Sequence, residues 1–263
     1  MTPRLPYRTD TLFGKSLKEY VGEKRAVALY ATNNHDLICD GSKIFLSDGS
    51  HIYYFFLALL YYSRSVSIVT NSLGIAGEYV LRPRNVTRLE FPSNGEVFPN
   101  HGGIFNLNED ALKSELERSA NIFISCEALE SSLGICIDDA IRADIRRIAI
   151  KSGTPVTILC DHYTLSHQRE FHEHAAVFTG EHIRSWQNFI NGRYNRIITN
   201  VHPDIPKEYI QLRPDIRGPF HIPDKKPHSW QRYCLNARRF RESMGERFIE
   251  VDLETRETMQ YKA

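Results

Sequence analysis

Four short polar corners, each ending a run of apolar and β-branched residues, carry the side chains best suited to chemistry: Asp48-Gly49-Ser50-His51, Thr70-Asn71-Ser72, Ser125-Cys126-Glu127 and Asp161-His162-Tyr163-Thr164. Their residue types suit the capture of a small anion. Glycine lets main chain approach a phosphate closely, hydroxyls and amides donate, and the N–H groups that open a following helix carry partial positive charge. The alternative is local: Ser, Thr, Asp and Asn are the preferred helix caps, so capping accounts for any one corner taken alone. Four corners on one sheet edge favour a shared site.

The elements that must position these corners follow from the spacing of apolar residues. The runs "KIFLS", "VSIVTN", "VTRLEF", "NIFISC", "PVTILC", "AAVFTG" and "RIITNV" have the length and composition of buried strands. Helical spacing fills several intervals, most clearly in "IDDAIRADIRRIAIKSG", with Asp138 and Asp139 in an acidic first turn, Ile141, Ile145, Ile148 and Ala149 on one face, and Gly153 as a stop. "EDALKSELERSA" has the same character, and "LGIAGEYV" follows the second corner. Alternating strands and helices predict an α/β fold, a mainly parallel Rossmann-like sheet with helices on both faces. Ligands of such sheets bind beyond the carboxyl ends of the strands, where all four corners fall.

Three regions are expected. Residues 1–20 form an arm or linker; residues 21–211 form the main domain, opening with a helix over 21–38; and residues 212–263 form an extension. That extension starts as a proline-rich connector, continues as the basic helix "WQRYCLNARRFRESM" and ends in a strand-like "RFIEVDLETRETMQY" with a hairpin.

Composition narrows the function classes. Lys+Arg 33 against Asp+Glu 32 gives a net charge of +1, so no global field calls for nucleic acid or an anionic membrane. The basic helix near the C-terminus reads as a solvated face packed through Trp230, Tyr233, Leu235 and Phe240. Five irregularly spaced cysteines fit neither a disulfide scaffold nor a CxxC zinc site, and no signal peptide or membrane-length apolar run is visible. These features place the chain in the cytoplasm. His167, His172 and His174 with Cys160 match no zinc pattern, so neither metal nor cofactor is expected.

"EKRAVALYATNNHDLICDGSKIFLSDGSHIYYFFLALL", "VSIVTNSLGIAGEYV", "ANIFISCEALESSLGI" and "ADIRRIAIKSGTPVTILCDHYTL" together resemble, in order and spacing, the C-terminal sugar-phosphate-sensing domain of DeoR-family transcriptional regulators. The resemblance runs from about residue 20 to 211. It implies the fold shared with ribose-5-phosphate isomerase and translation-factor 2B-like proteins. The family's TNS triplet is whole at Thr70, Asn71 and Ser72, and its DSGST-like loop is partly kept at Asp48, Gly49 and Ser50.

Departures from the family pattern bear on the ligand. His51 stands where the loop ends in threonine, Ser125-Cys126-Glu127 replaces a glycine-rich IGADG-like loop, and Thr164 takes the place of a lysine. The glutamate and lysine of the family's EAxxKR helix become Arg142 and Arg146, four residues apart on one helix face. Two guanidinium forks so placed would clamp a phosphate or carboxylate, or else pair with Asp138 and Asp139. The family's winged helix-turn-helix has no counterpart in the short stretch before the match, so direct DNA reading is not expected.

Three functions are consistent with these residues. The first is a non-catalytic sensor that binds a small phosphorylated or anionic metabolite and acts through a partner protein or an oligomer. The second is a sugar-phosphate isomerase on the same fold, in which Glu127 would be the base; no catalytic residue is otherwise assigned. The third is a protein-interaction module with a decayed pocket and a working C-terminal surface.

Overall fold

A computed structural model describes residues 12–62, 65–81, 86–92, 94–98, 101–131, 134–137, 140–166, 181–205 and 229–253. In chain order the elements begin with α1 (Leu12–Ser16), α2 (Val21–Asn33), β1 (Lys43–Leu46), α3 (Ser50–Tyr61), β2 (Val66–Thr70), α4 (Leu73–Leu81) and β3 (Val86–Glu90). Then come β4 (Glu96–Phe98), β5 (Gly103–Phe105), α5 (Glu109–Glu117), β6 (Asn121–Ile124), β7 (Ala128–Glu130), β8 (Gly134–Cys136) and α6 (Ala140–Lys151). The last are β9 (Val156–Leu159), α7 (His162–Ser166), α8 (Glu181–Asn191), β10 (Arg196–Asn200), α9 (Ser229–Met244) and β11 (Phe248–Val251).

Seven strands form one sheet in the order β11-β10-β9-β6-β1-β2-β3, and every neighbouring pair is parallel. Burial on both sides explains why the five inner strands, β10, β9, β6, β1 and β2, read as near-continuous apolar runs rather than as alternating ones, while the edge strand β3 exposes Thr87 and Arg88. Successive side chains feed opposite faces. Phe45, Ile122, Ile124, Val156, Ile158 and Ile197 enter one core with residues of α5, α6, α8 and α9. Ile44, Leu46, Ile68, Phe123, Leu159 and Ile198 enter the other, with residues of α2 and α3. Each fully buried Ile, Leu or Phe contributes about 1.5–3 kcal/mol relative to exposure.

The expected strands at residues 43, 66, 86, 121, 156 and 196 are all present; "AAVFTG" lies outside the described residues, as do Asp138, Asp139 and the 211/212 boundary. Helix α2 stops at Asn33, short of the expected residue 38, because Asn34 leaves the helical region and its Oδ1 accepts from Asp36 N, a local turn that competes with the helix. Within the N-terminal stretch, α1 is helical, and its Phe13 together with Leu17 just beyond it packs on Tyr53. Two small antiparallel pairs, β4–β5 and β7–β8, were not expected.

The C-terminal segment continues the main sheet. β11 pairs with β10 in register Ile197↔Phe248 and Ile198↔Ile249, and α9 buries Tyr233, Ala237, Phe240 and Met244 in the first core. The second arm of the expected hairpin lies outside the described residues. Among the described residues no helix is long and apolar enough to cross a membrane.

Candidate functional site

From β1 the chain builds outward through β2 and β3 on one side of the sheet, and later through β6, β9, β10 and β11 on the other. Strand order therefore reverses between β1 and β6, the point at which sheets of this kind bind ligands beyond the carboxyl ends of their strands. The first corner leaves β1 there. Gly49 adopts φ 122°, a backbone that other residues rarely take, and a Cβ at this position would collide with the Ser125 hydroxyl. Close approach of the first and third corners therefore requires glycine.

Asp48 is fully buried at the centre. Its Oδ1 accepts from Arg146 Nη1 and from Asn71 Nδ2 at 3.2 Å, and its Oδ2 accepts from Arg142 Nε at 2.9 Å. The Asp48 main-chain oxygen accepts from Arg146 Nη2 at 2.8 Å and from Ser125 Oγ at 3.1 Å. Arg146, itself fully buried, also donates from Nε to the Ser125 carbonyl at 3.2 Å. Arg142 Nη1 donates to Glu127 Oε1. Burial alone would push the Asp48 carboxyl up, yet the two guanidiniums hold it well below the usual carboxylate range.

This arrangement resolves what the sequence left open for the arginines. They turn onto Asp48 and Glu127, and the two positive and two negative side chains neutralise one another. The guanidinium clamp is thus already closed on the chain's own carboxylates. One donor is left over: among the described residues Nη2 of Arg142, whose side chain is partly exposed, has no partner.

Helix α3 opens beside this network. Gly49 supplies no side-chain cap, and the first turn closes only with Tyr53 N on Gly49 O at 3.0 Å. The main-chain N–H groups of Ser50, His51 and Ile52 precede any intrahelical acceptor, although all three residues are buried. Asn71 Oδ1 is likewise buried without a hydrogen bond.

The fourth corner meets the first through His51, whose Nε2 lies 3.2 Å from Asp161 Oδ2. Asp161 Oδ1 accepts from Thr164 N at 3.0 Å and from Thr164 Oγ1 at 3.1 Å, so this carboxylate caps α7 with one oxygen and faces His51 with the other. Burial lowers the His51 pKa; burial would raise that of Asp161, but His51 and Lys24 hold it low.

The remaining expected residues have local roles. Thr70 Oγ1 accepts from Ser72 N at 3.0 Å and Ser72 Oγ from Ile75 N at 3.4 Å, so the second corner mainly shapes the start of α4, and only its Asn71 reaches Asp48. Cys126 belongs to the first core, where burial pushes its thiol well above the ordinary value, as for a packed residue rather than a nucleophile. Among the described residues no cluster of three or more His, Cys, Asp or Glu could hold a metal ion; His167, His172 and His174 lie outside them.

Lys24 was not foreseen. It is buried, donates from Nζ to Ser16 O at 2.6 Å and Glu19 O at 2.7 Å, and lies within electrostatic reach of Asp161 and His51. Nothing in "VGEKRAVALY" distinguishes it from a solvated lysine, because its burial depends on the fold of residues 12–20. Tyr20, in a left-handed conformation at φ 47°, completes this side by stacking on Tyr163.

A parallel doubly wound sheet with polar corners meeting at its switch point defines a Rossmann-like α/β domain. The family model described as the DeoR C terminal sensor domain matches residues 19–183, and the chain belongs to that family. Among solved structures, eIF2B delta from Chaetomium thermophilum is similar at 20% identity and a TM-score of 0.41, covering 59% of this chain and 52% of that one. Ribose 5 phosphate isomerase A from Neisseria gonorrhoeae is similar at 14% identity and a TM-score of 0.36, covering 52% of this chain and 50% of that one. The chain thus spans about half the length of these structures. No curated protein matches it.

Proposed function

We propose that the domain senses a small phosphorylated or otherwise anionic metabolite, held at the switch point between β1 and β6, and passes the signal to a partner protein or through an oligomer. The observation that carries this reading is the start of α3: the main-chain N–H groups of three buried residues, Ser50, His51 and Ile52, lack an intrahelical acceptor and follow directly on Asp48, which Arg142 grips through Nε. Buried donors without partners are costly, and an anion satisfies them at a helix end whose dipole favours negative charge. Asp48 and Arg146 act in this account as the frame that fixes the loop. Gly49, Ser50, His51, Asn71, Ser125, Glu127 and Arg142 line the ligand, while Thr70, Ser72, Asp161 and Thr164 support them.

The test is thermal denaturation against phosphorylated sugars, nucleotides and small carboxylates. A binder at about 100 times its Kd adds about 2.7 kcal/mol of stability. A selective upward shift of Tm, lost in Arg142→Gln, supports the site; the same shift in that variant sinks the assignment.

A further inference from the structure

Helix α4 has the composition of a buried helix and the position of a surface one. Its sequence, LGIAGEYVL, carries one charged residue, Glu78, and that side chain is buried, accepting from Tyr53 Oη at 2.7 Å. Gly74 and Ile75 are buried beside it, and Tyr79 packs on the second core. Leu73, Ala76, Gly77, Val80 and Leu81 make up the rest of the helix; the first three are partly exposed, Val80 is 78% exposed and Leu81 62%. They fall at i, i+3, i+4, i+7 and i+8, the one stripe on which a surface helix normally carries its polar residues. A helix apolar all round is one that a further layer covers. Tyr61, 56% exposed at the corresponding end of the neighbouring helix α3, widens the apolar surface.

The stripe is self-complementary. Bulky Leu73 and Val80 flank the small pair Ala76 and Gly77, so its profile reads alike from either end. An antiparallel crossing of two copies, centred between Ala76 and Gly77, sets Leu73 of each against Val80 of the other. The small pair lets the two main chains approach, and glycine, a poor helix former, stands where that contact is tightest. With no charge on the stripe, it meets its own image without repulsion, as a two-fold interface requires. The nearby sheet edge is guarded instead: β3 exposes Thr87 and Arg88, and its pairing with β2 shifts between Val66 and Ser67.

We propose that α4 is a homodimer interface, on which α4 of a second copy packs antiparallel across Ala76 and Gly77. The contact stands without any ligand, while its regulatory role rests on the sensor reading above. Helix α4 starts directly after Asn71, which donates to Asp48, so the interface helix begins at the residues proposed to hold the anion.

The experiment measures the mass of the full chain by sedimentation equilibrium over a dilution series, without added ligand. A dimer is expected. Val80→Glu should raise its dissociation constant by about 30-fold or more, as loss of a central contact residue does, and should still melt in one transition because Val80 is exposed. Arg239→Glu, on the exposed face of α9, should leave the dimer unchanged. Ala76→Cys, made with Cys39→Ser to remove the exposed native thiol, should link two chains under mild oxidation because it lies beside the two-fold axis. A single-chain mass throughout, or an assembly whose mass Val80→Glu leaves unchanged, overturns the interface. Either result leaves ligand-induced stabilisation, measured separately, to decide the sensor reading.

Discussion

Arg146 and Asp48, both fully buried and 98 residues apart in sequence, are joined by guanidinium bonds to the carboxylate and to the main-chain oxygen of the same residue. One arginine thereby fixes both the side chain and the path of the first loop. Removing one member of a buried pair leaves the other uncompensated, at a cost of about 3–5 kcal/mol. Arg146→Met should lose about that much in urea denaturation, and Asp48→Asn a comparable amount. The double variant should lose less than their sum because the two share one interaction. A cost for Arg146→Met below about 1 kcal/mol, the range of surface ion pairs, would contradict this role.

Gly49 supports a second prediction. A Cβ there meets both an unfavourable positive φ and the Ser125 hydroxyl. Gly49→Ala should destabilise by about 1–3 kcal/mol, the cost of holding a residue in a sparsely populated backbone region, with the collision added. Adding Ser125→Ala should recover only part of the loss, since the Ser125 Cβ still lies 3.3 Å away and φ is unchanged. Full recovery in paired melting curves would place the strain in the side-chain contact alone.

Acid should weaken the fold in two steps. Burial lowers His202 from 6.5 to about 4, so between those values the unfolded chain binds more protons than the folded one, and stability rises with pH across that window. His51, also lowered, acts in the same sense. Asp48 and Asp161 are depressed, so their contribution is present above the unfolded value of about 3.9 and lost as pH falls through the folded values. His202→Gln should flatten the Tm slope from pH 4 to 6.5 in part and leave the loss below it. An unchanged slope would contradict the burial argument.

The C-terminal helix and strand should melt with the main sheet. Phe240 is fully buried, stacks on Phe248 at a centroid distance of 5.5 Å and meets Trp186 edge-on. Phe240→Ala should cost about 3–5 kcal/mol, the range for truncating a buried aromatic. A single cooperative transition, shifted as a whole, is expected. A separate low-temperature transition for residues 229–253 would show an appendage instead.

The sheet was legible in the sequence because parallel strands buried on both faces leave unbroken apolar runs, as "NIFI" and "VTIL" do in β6 and β9. The corners were legible too, since parallel strands must end in polar loops before their helices. What each corner does was less so. Asp161 and Ser72 chose capping partners three residues away, whereas Arg142 and Arg146 chose Asp48, nearly one hundred residues away. Helical spacing shows that two arginines share a face but not what that face meets. The strand character of β11 was legible in "RFIEV", but its place in the main sheet was not, for a related reason: strand spacing does not name the neighbour, and the pairing with β10 forms with α9 packed in the first core.

Site-resolved amide NMR tests the anion site most directly. Titrating the protein with the phosphorylated sugar or carboxylate that stabilises it should shift the amide signals of residues 49–52 and the side-chain signals of Arg142 and Asn71, with smaller changes elsewhere. Shifts confined to the basic helix α9, or a stabilising ligand that leaves residues 49–52 unmoved, would contradict the account.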